Sequence, residues 1–132
     1  MSKELIRQYY LKFNEGKFGE MIELLAANVQ HDLNEGETQK GKTAFAAFMK
    51  VMDTHYSERA VELEIFSGDH PERFAAEFFI EGTYKKTQAG LPEAKNQPYR
   101  LRVGAFFEVN SGLITRVTNH YNLREWIAMV NK

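Results

Sequence analysis

The spacing of apolar residues changes period near the middle of this chain, and that change constrains the fold more than any other feature. Up to His55 apolar residues recur at helical intervals; from Val61 they alternate with polar ones, as in a half-buried strand. Leu5, Ile6, Tyr9 and Phe13 predict a helix over roughly residues 3–14, which Asn14-Glu15-Gly16 breaks. Phe18, Met21, Ile22 and Leu25 predict a second helix after a tight turn, and VQHDLNEGETQKG reads as a brief strand and loop. From about Lys42 to His55, Phe45, Phe48, Met49 and Met52 share one face of a third helix.

Strand candidates follow: Val61, Leu63 and Ile65 alternating with Glu62 and Glu64, then RFAAEFFIEGTYKKT, PYRLRVGAFFEV and LITRVTNHYNL. The turns between them predict an antiparallel meander, and Leu123, Trp126, Ile127 and Val130 predict a short closing helix. Helices before strands is the order of an α+β fold, here one domain over residues 1–132. Its expected form is a cone-shaped, curved antiparallel sheet on three N-terminal helices, with a short C-terminal helix. Alternation puts Phe78, Ile80, Gly82 and Tyr84 on one sheet face with Tyr99, Leu101, Val103, Ala105 and Phe107. The other face carries Glu77, Phe79, Glu81, Arg100, Arg102 and Phe106, so arginine–glutamate pairs are expected across strands. Phe79 and Phe106, with His120 beside them, predict a homodimer through that outer face.

Charge excludes some partners. Lys plus Arg number 17 against 18 for Asp plus Glu, scattered along the chain, so no basic field gathers a nucleic acid. The absence of cysteine removes disulfides and thiolate sites, which suits a cytoplasmic protein, and the amphipathic N-terminus offers neither a signal peptide nor a membrane span. Aromatic residues reach 13%, enough to call for a large core, a pocket or an association surface. GxGxxG, P-loop, HExxH and GxSxG motifs are missing, and His31, His55, His70 and His120 lie far apart, so neither cofactor nor metal is expected.

The three helices, the long meander, FNEGKFGEMIELLAANVQHD and the turn near Gly41 resemble the nuclear-transport-factor-2-like superfamily. GTYKKTQAGLPEAKNQPYRLRVGAFFEV and ITRVTNHYNLREWI are similar to its ketosteroid isomerase-related, SnoaL-like proteins. The resemblance spans nearly the whole chain and implies a conical pocket between sheet and helices, in a superfamily of isomerases, cyclases, hydrolases, dehydratases and non-enzymatic binding modules. Ketosteroid isomerases use a tyrosine and a protonated aspartic acid as an oxyanion hole, with a second aspartate as base. The tyrosine position falls on Tyr9, the base position on Leu33 and the other aspartate position on Ala105, which argues against steroid isomerisation itself. A one-residue slip would bring Asp32 to the base position.

Other residues then carry the expected chemistry. His31 shares a strand face with position 33 and is the first candidate for general base; Asp32 has suitable chemistry on the opposite face. Tyr9, Asn119 and Tyr121 are expected to hydrogen-bond a substrate oxygen. Tyr84, Tyr99, Phe107, Phe48, Met52 and Trp126 are expected as pocket wall. The expected activity is cofactor-free isomerisation, cyclisation or dehydration of an apolar carbonyl compound by proton transfer, with a non-catalytic ligand-binding or dimerisation module as the alternative.

Overall fold

A computed structural model of the chain describes residues 2–132. Helix α1 (Ser2–Asn14) ends as its sequence requires. Gly16 takes φ +73°, its amide donates to the Phe13 carbonyl at 3.1 Å, and the Lys17 amide donates to the Lys12 carbonyl at 2.9 Å. These bonds satisfy the last carbonyls in a left-handed glycine cap. Helix α2 (Phe18–Ile22) is a single turn, and Leu25, expected on its apolar stripe, instead begins β1 (Leu25–Asp32). There Leu25 pairs with Ile114 and is fully buried, so sheet burial overrides helical spacing. A loop leads to β2 (Thr38–Lys40) and then to α3, which spans the expected Lys42–His55.

Strands β3 (Tyr56–Ser67), β4 (Arg73–Tyr84), β5 (Gln97–Asn110) and β6 (Leu113–Tyr121) form the antiparallel meander, and α4 (Leu123–Val130) closes the chain. The sheet order is β2-β1-β6-β5-β4-β3. One pairing departs from the antiparallel expectation: β1 runs parallel to β6, His31 opposite Val117. The long path between these strands makes a parallel pair possible, and local alternation does not report it. Among the described residues, no helix is long and apolar enough to cross a membrane.

The concave face is apolar, and α1, α3 and α4 pack over it. Along β4 and β5 burial alternates as the sequence predicts. Strand β3 does not keep one phase. Glu62 takes φ +55° in a bulge between Val61 and Glu64; Tyr56 and Ala60 are buried before it, whereas Leu63 and Ile65 pack on the core after it. A bulge inserts a residue and reverses which parity faces inward. Strand β3 is also a sheet edge, where backbone groups lack a ladder partner. Asn14 of α1 satisfies two of them: its Nδ2 donates to the Ala60 carbonyl at 2.9 Å and its Oδ1 accepts from the Ala60 amide at 2.7 Å.

On the convex face Arg100 reaches Glu81 at 3.0 Å and pairs with Glu62, while Arg102 reaches Glu77 at 3.3 Å. The two guanidinium carbons lie 3.8 and 4.6 Å from the Phe79 ring centre. Phe106 is 44% exposed and makes an edge contact with His120.

Candidate functional site

Between the concave face and the helices lies a cavity of about 440 Å³, a size suited to a small organic molecule. Tyr9, Tyr10 and Phe13 of α1 and Phe45, Phe48, Met49 and Met52 of α3 form one wall. Phe78 and Ile80 of β4 with Leu101 and Val103 of β5 form the other, and Trp126 of α4 also lines the space. Gln88, Ala89 and Leu91, from the loop between β4 and β5, border the space. Most of this lining offers no hydrogen bond, so its few polar groups decide what binds and how it is oriented.

His31 is one of them. Strand β1 turns its imidazole inward, where it is only 2% exposed, lying 4.3 Å from the Phe45 ring and 4.8 Å, edge-on, from Phe48. Nδ1 is enclosed and has no partner among the described residues, and the residue lines the cavity. Desolvation lowers its pKa to about 4, with the Asp32 carboxylate acting weakly in the opposite direction. At neutral pH the ring is therefore uncharged. A base this weak takes a proton from carbon poorly, but a neutral imidazole still donates or accepts a hydrogen bond.

Glu58 is one of the polar lining residues that sequence reasoning missed, with Asn34, Glu35, Glu37 and Gln88. It lines the cavity and also a second cleft of about 340 Å³ beside α1, α2 and α3. Tyr99 donates to its Oε2 at 2.5 Å. Desolvation pushes the carboxyl above its ordinary range, and the hydrogen bond from Tyr99 opposes that shift. Sheet register builds the contact: Glu58 of β3 and Tyr99 of β5 both pair with Gly82 of the strand between them. A Cβ at position 82 would lie 2.6 Å from the Tyr99 ring. Only the absence of a side chain lets the phenol cross β4 to the carboxylate. Backward extension of the Val61, Leu63, Ile65 alternation puts Glu58 outside; the usable signal was Tyr56 and Ala60 on either side of it.

The structure brings Tyr9, His31, Asn119, Tyr121, Phe48, Met52 and Trp126 to the cavity. Burial raises the Tyr9 phenol, and desolvation together with Glu58 and Glu35 raises Tyr121, so both remain neutral donors. Four expected residues are placed elsewhere. Asp32 projects from the opposite face of β1, as strand alternation requires, and accepts from Thr118 at 2.6 Å, Thr38 at 2.9 Å and Gln30 at 3.0 Å. Phe107 is fully buried, its ring taken up by edge contacts with Tyr9 and Tyr10 at 5.5 and 6.0 Å. Tyr84 is a loop anchor: its hydroxyl donates to the Pro92 carbonyl at 2.6 Å and accepts from the Gln88 amide at 3.0 Å. Tyr99 is not itself in the lining but acts on Glu58, which is. Of the two positions where the family resemblance expected aspartates, Leu33 lines the cavity and Ala105 is buried in the sheet. Among the described residues no group of three or more His, Asp or Glu side chains converges as a metal site requires.

Residues 6–117 match a family model described as a SnoaL-like domain. None of the curated proteins matches the chain. Three solved bacterial structures, each described as a putative polyketide cyclase, are similar over nearly their whole length. The protein from Xanthomonas campestris is 44% identical, with a TM-score of 0.93 and coverage of 97% of this chain and 95% of its own. That from Pseudomonas putida is 44% identical, with a TM-score of 0.93 and coverage of 96% of each chain. That from Silicibacter sp. TM1040 is 43% identical, with a TM-score of 0.94 and coverage of 97% and 93%.

Proposed function

The chain belongs to the SnoaL-like domain family, and from that premise we propose that it binds an apolar carbonyl compound in its cavity and isomerises, cyclises or dehydrates it by proton transfer. One observation carries the reading: a mostly apolar space of about 440 Å³ is lined by an imidazole, several phenols and a carboxyl. A carbonyl oxygen that gains charge there is stabilised by fixed donors more strongly than in water. In this reading neutral His31 and Tyr9 hydrogen-bond that oxygen, and Asn119 and Tyr121 orient the remainder of the ligand. The description of the three bacterial relatives as cyclases points the same way.

The test uses 1-tetralone, a compact apolar ketone, in D2O, with mass spectrometry following deuterium at its α-carbon. The expected result is exchange faster than in buffer, reduced at least about tenfold in His31→Phe. Binding of the ketone without exchange refutes the catalytic reading and leaves ligand binding alone, the alternative that Leu33 and Ala105 favour by supplying no acid or base. We further propose that two copies associate across the convex face around Phe106 and His120. Light scattering checks this, with Phe106→Glu expected to run as a monomer.

A further inference from the structure

We infer that Glu58, positioned by Tyr99 across Gly82, is the general base of this cavity, an inference that rests on the proton-transfer reading above. Three geometric facts support it. Glu58 lines the ligand space. Its Oε2 is held by the Tyr99 hydroxyl at 2.5 Å, while Oε1 has no hydrogen-bond partner among the described residues. It also borders the second cleft, so a proton taken inside the cavity can reach solvent while the ligand stays bound.

The same desolvation that weakens His31 as a base strengthens Glu58. Burial lowers the imidazole to about 4 and raises the carboxyl above its ordinary value, so it acts against His31 and in favour of Glu58 as the base. The titratable groups coupled to Glu58 are phenols, Tyr56 on its own strand, Tyr99 on β5 and Tyr121 on β6, and the cavity is also lined by Tyr9, Tyr10, His31, Glu35 and Glu37. The second cleft is also lined by Glu15, Asp53 and Arg59. Among the described residues Glu58 joins no ion pair.

The step balances within these groups. Glu58 Oε1 takes the α-proton; the C–H electron pair becomes the C=C bond of an enolate, and the carbonyl π pair moves onto oxygen, which His31 and Tyr9 receive by hydrogen bonding. In an isomerisation Glu58 returns the proton to a different carbon. In a ring closure the enolate carbon attacks a second carbonyl of the same molecule, and the Glu58 proton goes to the new alkoxide. Either route restores the carboxylate, with no oxidant, reductant or co-reactant.

The experiment follows 1-tetralone exchange in D2O against pH for the wild type, Glu58→Gln, Tyr99→Phe and Gly82→Ala, with ketone affinity measured separately and the Glu58 carboxyl titrated by 13C NMR. Glu58→Gln is expected to lose at least about 100-fold in exchange while still binding the ketone. In the wild type, exchange rises with pH as Glu58 ionises. Tyr99→Phe removes a hydrogen bond that favours the carboxylate, so both the NMR midpoint and the acid limb of the rate move to higher pH, a change that a purely structural tyrosine does not produce. Gly82→Ala shifts both in the same direction by displacing the ring. Exchange in Glu58→Gln within threefold of wild type overturns the inference and leaves the proposed function standing. A Glu58 carboxyl that titrates in the ordinary range overturns it whatever the ketone does. A wild type that binds 1-tetralone without exchanging it overturns both.

Discussion

Asp32 and Glu58 are both carboxylates on strands of one sheet, and the faces they occupy give them opposite chemistry. Asp32 is on the convex side. Desolvation acts upward on it, but hydrogen bonds from Thr118, Gln30 and Thr38 with the nearby Arg116 outweigh that and hold it below its ordinary value. Glu58 is on the concave side, where desolvation outweighs the single hydrogen bond from Tyr99 and raises it. The convex face pairs its charges with each other in water, as Arg100 and Arg102 do with three glutamates and the Phe79 ring. The concave face leaves its polar groups few partners among apolar walls. A group satisfied by neighbours is chemically quiet, whereas a desolvated one with spare capacity can act on a ligand.

The contrast breaks most sharply at two adjacent phenylalanines of β5. Phe107 is fully buried and Phe106 is 44% exposed. Phe107→Ala is expected to cost about 3–5 kcal/mol in urea denaturation, and Phe106→Ala about 0.5 kcal/mol or less in the monomer. Equal losses would mean that the two faces are not energetically distinct.

A somewhat smaller effect tests His31. Its pKa is about 4 when folded against about 6.5 for an unperturbed imidazole, so between these pH values the unfolded chain binds a proton that the folded one refuses. This contribution to stability is present above pH 6.5 and is lost as pH falls, by about 3 kcal/mol at most near pH 4. In His31→Gln that slope between pH 6.5 and 4 should flatten when denaturation is measured across the range; an unchanged slope would assign it to other groups.

At Gly82 the alanine methyl would meet the Tyr99 ring, with an expected loss of about 1–3 kcal/mol by overpacking. A loss near zero would show that the ring has room to retreat. The smallest effect belongs to the convex face: Arg100→Ala removes an exposed guanidinium from Glu81, Glu62 and Phe79, for about 1 kcal/mol or less, shrinking further in salt.

Where local pattern determines structure, the sequence was readable. The Lys42–His55 helix, the meander, the two faces of β4 and β5 and the Arg100–Glu81 register follow from periodicity and alternation. His31 inward and Asp32 outward follow from the same rule. What stayed hidden depends on non-local or phase-breaking events. The parallel β1–β6 pair joins segments about ninety positions apart in the chain, with nothing in either to announce it. Glu58 was masked by the bulge at Glu62, since any alternation counted back from Ile65 emerges on the wrong face. Alternation puts Phe107, Tyr84 and Tyr99 on the correct face, but a face does not say which of its side chains reaches the void and which is spent on a neighbour.

Gly82 also gives a criterion for comparing related proteins. A relative that keeps tyrosine and glutamate at the flanking positions but carries any side chain between them cannot form this bond with the same backbone, however alike the folds. A single hydrogen atom in place of a methyl group thus separates chains able to hold a carboxylate in this way from chains that share only the architecture, and a one-letter inspection is enough to sort them.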